Sequence, residues 1–272
     1  METTDSSLIG EVKGLVVTDD KIFVNSAREE ILCFDVSGKF LFRVGRIGRA
    51  PGEYISPYSI SVCDNIVYVL CQESCKVLCY DAVLGKHIND ISLNKFYVQI
   101  EVSDGYIYAV DMTTRPFAID AIQLSNPTEC KELYCVVEGE RVYSSFMQLF
   151  KSSDNGKCYW VDPLRGEVYL LESGEMIPYI DFDFGKYEGF IYNMSNHDDV
   201  NDCYIISDII NDNKEIVLKG LRHPFIDEKS VVKRISSAYP VAPKPCFKCT
   251  PLSMSTLPFA IQYSFSPEAH HL

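Results

Sequence analysis

The sequence predicts an all-β chain folded as a β-propeller of four-stranded antiparallel blades. Three observations carry that prediction. A turn rich in Asp, Asn and Gly recurs at Asp19-Asp20, Asp64-Asn65, Asp104-Gly105, Asp154-Asn155-Gly156 and Asn211-Asp212-Asn213. Measured between Asp20, Asp64, Asp104, Asp154 and Asp212, its steps are 44, 40, 50 and 58 residues. A second turn follows at similar phase in Ser37-Gly38-Lys39, Leu84-Gly85-Lys86 and Ser173-Gly174-Glu175, with Asn126-Pro127-Thr128 and Asp227-Glu228-Lys229-Ser230 in the remaining places. Between the turns the residues alternate, so that Leu32, Phe34 and Val36 share one face, and so do Phe40, Phe42 and Val44. Asp, Asn and Gly tolerate the positive φ of tight hairpins. Two hairpins per period make four antiparallel strands, the unit of a propeller blade.

Taken in order, five blades are visible, at about 8–46, 54–93, 96–138, 143–184 and 203–235. Each first turn leads into an apolar strand: Ile22-Phe23-Val24, Val67-Tyr68-Val69, Ile107-Tyr108-Ala109, Cys158-Tyr159-Trp160 and Ile216-Val217-Leu218. No window of a dozen residues keeps apolar positions at helical spacing, and turn punctuation arrives too often for helices. Residues 185–202 read as a longer polar connection. Residues 236–272 differ from the rest: they hold six of the thirteen prolines and no glycine, and only Phe259–Phe265 reads as a strand. The expected organisation is a propeller over 1–235 and a Pro-rich segment over 236–272, either a degenerate last blade or a tail.

Composition narrows the function. Hydrophobic residues make up 47% of 272, enough to bury a large core, so disordered and collagen-like classes fall away. The longest apolar runs are about six residues, as in Ile66–Cys71, too short to span a bilayer. A formal net charge of −13 repels phosphate backbones, so no nucleic-acid partner is expected. Eleven cysteines is an odd count, and most lie inside apolar runs such as Ile31-Leu32-Cys33-Phe34, where Cys behaves as a small hydrophobe. Reduced, buried thiols are expected rather than a disulfide framework. Met1–Ser7 has neither the basic nor the apolar region of a signal peptide.

Several motifs invite a chemical reading. Gly45-x-x-Gly48-x-x-Pro51-Gly52-Glu53-Tyr54 lacks the Gly-Lys-Ser/Thr ending of a phosphate loop and precedes no helix, so it is read as the crossover between the first two blades. Cys71, Cys75 and Cys79 fall on two partner strands and are not expected to converge on one ion. Cys246-Phe-Lys-Cys249 has the spacing of half a zinc site, but only His270-His271 follows it.

Propeller chemistry usually sits at the ends of the innermost strands, here the first strand of each blade. Glu101 and Asp208 are the carboxylates that qualify as channel-facing ligand contacts. A metal-dependent lactonase or lyase would need three or four such ligands, and no His joins them: His87 falls on an outer strand, His197 and His223 in or beside connections. Asp111 and Asp162 close their second strands and read as turn formers. No nucleophile elbow or dinucleotide fingerprint is present. Trp160 and the seventeen tyrosines are read as blade packing, with some free to line a recognition face.

The stretch Glu2–Glu11 with its following hairpin, and Gly45–Tyr54, resemble the six-bladed, NHL-like β-propeller proteins of Bacteroides-type bacteria. The resemblance is closest over residues 2–93 and thins after 187. It implies six blades, a periplasmic or cell-envelope site, and a lipoprotein-type signal and strand ahead of the Glu2–Ser6 segment. The chain starts inside that segment, so Met1 is expected to be an internal start or the reading frame a fragment. The function expected from the whole is a non-catalytic propeller binding a protein or small-molecule ligand, with no catalytic, cofactor-binding or metal-binding residues. The alternatives are a metal-dependent propeller enzyme and a truncated product without independent function.

Overall fold

A computed structural model describes residues 8–28, 30–111, 118–135, 149–152, 156–161, 167–183, 204–212, 215–222, 234–236, 247–251 and 260–267, with side chains as far as Tyr179. The chain divides into two compact units, one of residues 1–136 with 173–175, the other of 137–172 with 176–272. Among the described residues no helix is long and apolar enough to cross a membrane.

The first unit is three four-stranded antiparallel blades. They are β1 (Val12–Val17), β2 (Lys21–Ser26), β3 (Glu30–Asp35) and β4 (Phe40–Val44); β5 (Ser59–Cys63), β6 (Ile66–Cys71), β7 (Lys76–Asp81) and β8 (His87–Ser92); and β9 (Gln99–Ser103), β10 (Tyr106–Asp111), β11 (Ala118–Gln123) and β12 (Cys130–Tyr134). Within each blade the strands are neighbours in chain order. The turn chemistry is the one the sequence announces. Asp64 and Asn65 take φ of 49° and 59°, Asp104 and Gly105 46° and 83°, and Ser173 and Gly174 54° and 70°, the paired positive φ of a hairpin whose twist matches its strands.

In the second unit β13 (Leu149–Lys151), β14 (Cys158–Val161), β15 (Glu167–Glu172) and β16 (Glu175–Asp183) supply the fourth blade. Its sheet does not stop there. It continues through β19 (Arg234–Ser236), β20 (Phe247–Pro251), β21 (Ala260–Pro267) and β18 (Glu215–Arg222) to β17 (Tyr204–Asp212). The described residues therefore form four blades, not the five read from turn spacing or the six implied by resemblance. The predicted hairpin after Asn211-Asp212 is present as β17–β18. Its open edge, however, is taken by the alternating strand of the C-terminal segment, with Ile216, Val217 and Leu218 opposite Phe265, Ser264 and Tyr263. A strand from outside the repeat has occupied the edge on which a fifth four-stranded unit would have been completed.

Two apolar layers hold the first unit together. Phe23, Ile31, Cys33 and Val44 of the first blade meet Val67, Val69, Cys71, Leu78 and Tyr80 of the second. The opposite face of the second blade, with Tyr68, Leu70, Val77 and Cys79, packs on Ile100, Val102, Ile107 and Ala109 of the third. Strands buried on both faces read as near-continuous apolar runs, as Ile66–Cys71 does. The crossover from β4 to β5 is a self-satisfied loop. Gly48 N–H donates to the Tyr54 carbonyl at 2.9 Å, Ala50 N–H to Glu53 Oε2 at 2.8 Å, and Arg46 pairs with Glu53. Tyr54 Oη then donates to the Val44 carbonyl at 2.7 Å, and Tyr80 Oη to that of Gly52 at 3.1 Å. Its glycines make this crossover a structural joint.

Cys71 and Cys79 lie in different apolar layers, on opposite faces of one blade, so the three-thiol spacing brings no common site. The eight described cysteines form no disulfide. Burial pushes the thiols of Cys33, Cys71 and Cys79 up from 9.0 to about 12. Each contributes stability that is complete below the unfolded thiol's pKa and is lost as pH rises through the folded value. Urea unfolding midpoints measured in reductant should therefore fall steadily from about pH 9 upward. A midpoint flat from pH 8 to 11 would show that these thiols ionise freely in the folded chain.

Candidate functional site

Glu101 lies on β9, opposite Tyr108. Its Oε2 accepts a hydrogen bond from Ser61 Oγ at 2.7 Å, and Ser61 Oγ in turn accepts the Val102 N–H at 3.0 Å. Ser59 repeats the device, accepting the Ile100 N–H at 3.3 Å. The serines of β5 thus stitch β5 to β9, and Glu101 is held in that seam. Asp208 lies on β17, opposite Lys219 of β18 and beside a break in register at Ile206. Glu101 and Asp208 belong to different compact units.

A denser polar cluster lies where the β8–β9 crossover meets the third blade. Asp111 and Asp120 are both fully buried, on neighbouring strands and on the face that meets the second blade. Lys95 Nζ stands 2.7 Å from Asp120 Oδ2 and 4.0 Å from Asp111 Oδ2, and Tyr97 Oη donates to the same Asp120 oxygen at 2.7 Å. Burial works to lower the Lys95 ammonium's pKa, but the hydrogen bond and charge of Asp120 outweigh it, with Cys130 and Asp111 adding, and raise it. Burial, then Asp120, drive the Tyr97 hydroxyl sharply upward. Both groups hold their protons at neutral pH, so the cluster presents a cation and a hydrogen-bond donor rather than a base. Asp120 Oδ1 is buried without a hydrogen-bond partner. Asp111, expected from its place at the end of a second strand to form a turn, is instead buried in this cluster, and Asp120 has no turn or motif around it to single it out. The signal was Asp120 inside the apolar run Ala118-Ile119-Asp120-Ala121-Ile122: a carboxylate in a strand buried on both faces needs a partner.

At the end of the third blade where its strands make their hairpin turns, a cleft of about 360 Å³ opens beside Tyr106. Gln123, Thr128, Glu129 and Lys131 of the β11–β12 hairpin line it, together with Glu175. The β15–β16 turn is docked firmly there. Ser173 N–H donates to Asp104 Oδ2, Gly174 N–H donates to Tyr108 Oη at 3.2 Å, and Lys131 pairs with Glu175. A Cβ at Gly174 would fall 2.7 Å from the Tyr106 ring, so only glycine lets the turn approach this closely. The cleft joins loops distant in sequence, which no periodicity signals.

Of the other residues singled out, Asp111 is part of the buried cluster. His87 lies on the outer strand β8, with Nε2 2.7 Å from Asp90. Asp162, His197, His223, Cys246, His270 and His271 lie outside the described residues, as do Glu2–Ser7. Among the described residues no group of three or more His, Cys, Asp and Glu is placed to hold a metal ion.

Comparison with known proteins agrees with this architecture. Residues 1–232 match the family described as a domain of unknown function, DUF4934. The chain belongs to the DUF4934 family. Among solved structures, this DUF4934 chain is similar to a Bacteroides fragilis protein inferred to be exported, at 15% identity and a TM-score of 0.62, over 88% of this chain and 71% of that one. It is also similar to a member of the DUF4221 family from Bacteroides vulgatus, at 10% identity and a TM-score of 0.56, over 97% and 84% of the two chains. At these identities the likeness concerns the fold: the DUF4934 chain is a β-propeller of four-stranded antiparallel blades. No functionally curated protein matches it.

Proposed function

We propose that this DUF4934 propeller is a non-catalytic binding module whose ligand enters the cleft beside Tyr106. The observation that supports the reading is the contrast between that cleft and the rest of the polar inventory. Glu101 is engaged by Ser61, Lys95 by Asp120, and the buried thiols of Cys33, Cys71 and Cys79 are held protonated by burial. The cleft, by contrast, is open, and its volume falls within the roughly 300–1,000 Å³ of ligand sites. The similarity to a Bacteroides fragilis protein inferred to be exported supports placing the module in the cell envelope.

The test is saturation-transfer NMR of the full chain with maltose, agmatine and inorganic phosphate as neutral, cationic and anionic probes. It is run beside Thr128→Trp, which fills the cleft mouth from an exposed position. The proposal expects at least one probe to be saturated by the wild type and lost in T128W. No difference between the two proteins for any probe overturns it.

A further inference from the structure

We infer that the cleft takes an organic cation, the ammonium or guanidinium group of a small amine or of a basic peptide side chain; this rests on the cleft being the binding site. The charges lining it decide the class. Lys131 is neutralised by its pairing with Glu175, so the basic group of the cleft is already spent. The Glu129 carboxylate is exposed and has no pairing partner among the described residues. The lining therefore carries one uncompensated negative charge, on a chain whose formal net charge is −13. Such a field draws cations toward the cleft and repels phosphates, sulfates and carboxylates.

The wall of the cleft fits the same ligand. The Tyr106 ring is stacked on Tyr108 with centroids 6.2 Å apart and planes 26° from parallel, and Gly174 presses against it from the docked turn. That ring is fixed in place before any ligand arrives. An aromatic ring attracts a cation through its quadrupole, and the Glu129 carboxylate of the same lining supplies the charge-assisted hydrogen bond. Gln123 adds a side-chain carbonyl that can accept a further N–H. A neutral polyol would use the ring and the amide but would draw nothing from the uncompensated charge of Glu129.

Calorimetric titration of the full chain at low salt tests this with agmatine and with the peptide acetyl-Gly-Lys-Gly-amide, alongside maltose and inorganic phosphate. The expected result is binding of agmatine with a Kd on the order of 1 mM, weakened by added salt. Glu129→Gln should weaken it about fivefold, the scale of one part-exposed ion pair. Lys131→Gln should instead tighten it, because it frees Glu175, which a merely structural role for these surface residues would not do. Binding of the peptide as well extends the assignment to basic side chains, and agmatine alone confines it to free amines. Maltose or phosphate binding in the cleft while agmatine fails overturns the cation assignment and leaves the binding module intact. Absence of binding by every probe overturns both. Agmatine binding that E129Q and K131Q leave unchanged also overturns the assignment.

Discussion

Gly45→Ala is expected to destabilise the protein by about 2–4 kcal/mol, the sum of a left-handed backbone forced on a side chain and the overpacking of a full core. Gly45 takes φ +62°, and a Cβ there would lie 2.6 Å from the Tyr80 ring and 2.9 Å from that of Tyr54. Neither ring can retreat. Tyr54 is tied to the Val44 carbonyl and Tyr80 to that of Gly52, and both sit in the layer between the first two blades. Gly105→Ala is the control. Its φ is +83°, but nothing lies within 4 Å of the added carbon, so only the backbone cost of roughly 1–2 kcal/mol should appear. Urea unfolding of the two variants separates the terms. Equal losses at the two positions would show that the crossover is not packed as tightly as its contacts imply.

The second large effect is expected at Lys95. Replacing it with methionine removes the ammonium 2.7 Å from the fully buried carboxylate of Asp120, and should cost about 3 kcal/mol, the lower end for a broken buried pair. The lower end applies because the Lys95 side chain is 28% exposed, so water already screens part of the interaction. Adding Asp120→Asn should recover part of the loss, since an amide oxygen still accepts the Tyr97 hydroxyl and one buried charge is gone. Unfolding midpoints of the single and double variants decide it. A double variant less stable than Lys95→Met alone would mean that the charge on Asp120 serves something other than this pairing. The raised pKa of Lys95 carries its own sign: its contribution is complete below the unfolded lysine's pKa and is lost as pH rises through the folded value.

The sequence was most informative where local chemistry decides structure. Asp64-Asn65, Asp104-Gly105 and Ser173-Gly174 are turns because these residues accept positive φ, and each is found doing so. The apolar runs became strands buried on both faces, and Cys71 and Cys79 packed as small hydrophobes. Legibility ended where a long-range competition decides. Nothing in the β17–β18 hairpin reveals that its open edge will pair with residues 260–265 rather than complete a blade. Lys95, Tyr97 and Asp120 become one cluster only once a crossover folds onto a strand two turns away. The cleft is completed by Glu175, 44 residues beyond the Lys131 it pairs with. Glu101 was visible as an inner-strand carboxylate, but the serines of β5 that engage it were not.

Binding without metal-dependent chemistry is the central claim, and calorimetric titration of the full chain with Ca²⁺ and Zn²⁺ tests it most directly. The account predicts no stoichiometric site tighter than about 10 µM, the weak end of a sensor-type calcium site. Stoichiometric uptake of either ion, lost in Glu101→Ala or Asp208→Ala, would contradict it and make these inner-strand carboxylates the metal ligands of a propeller enzyme.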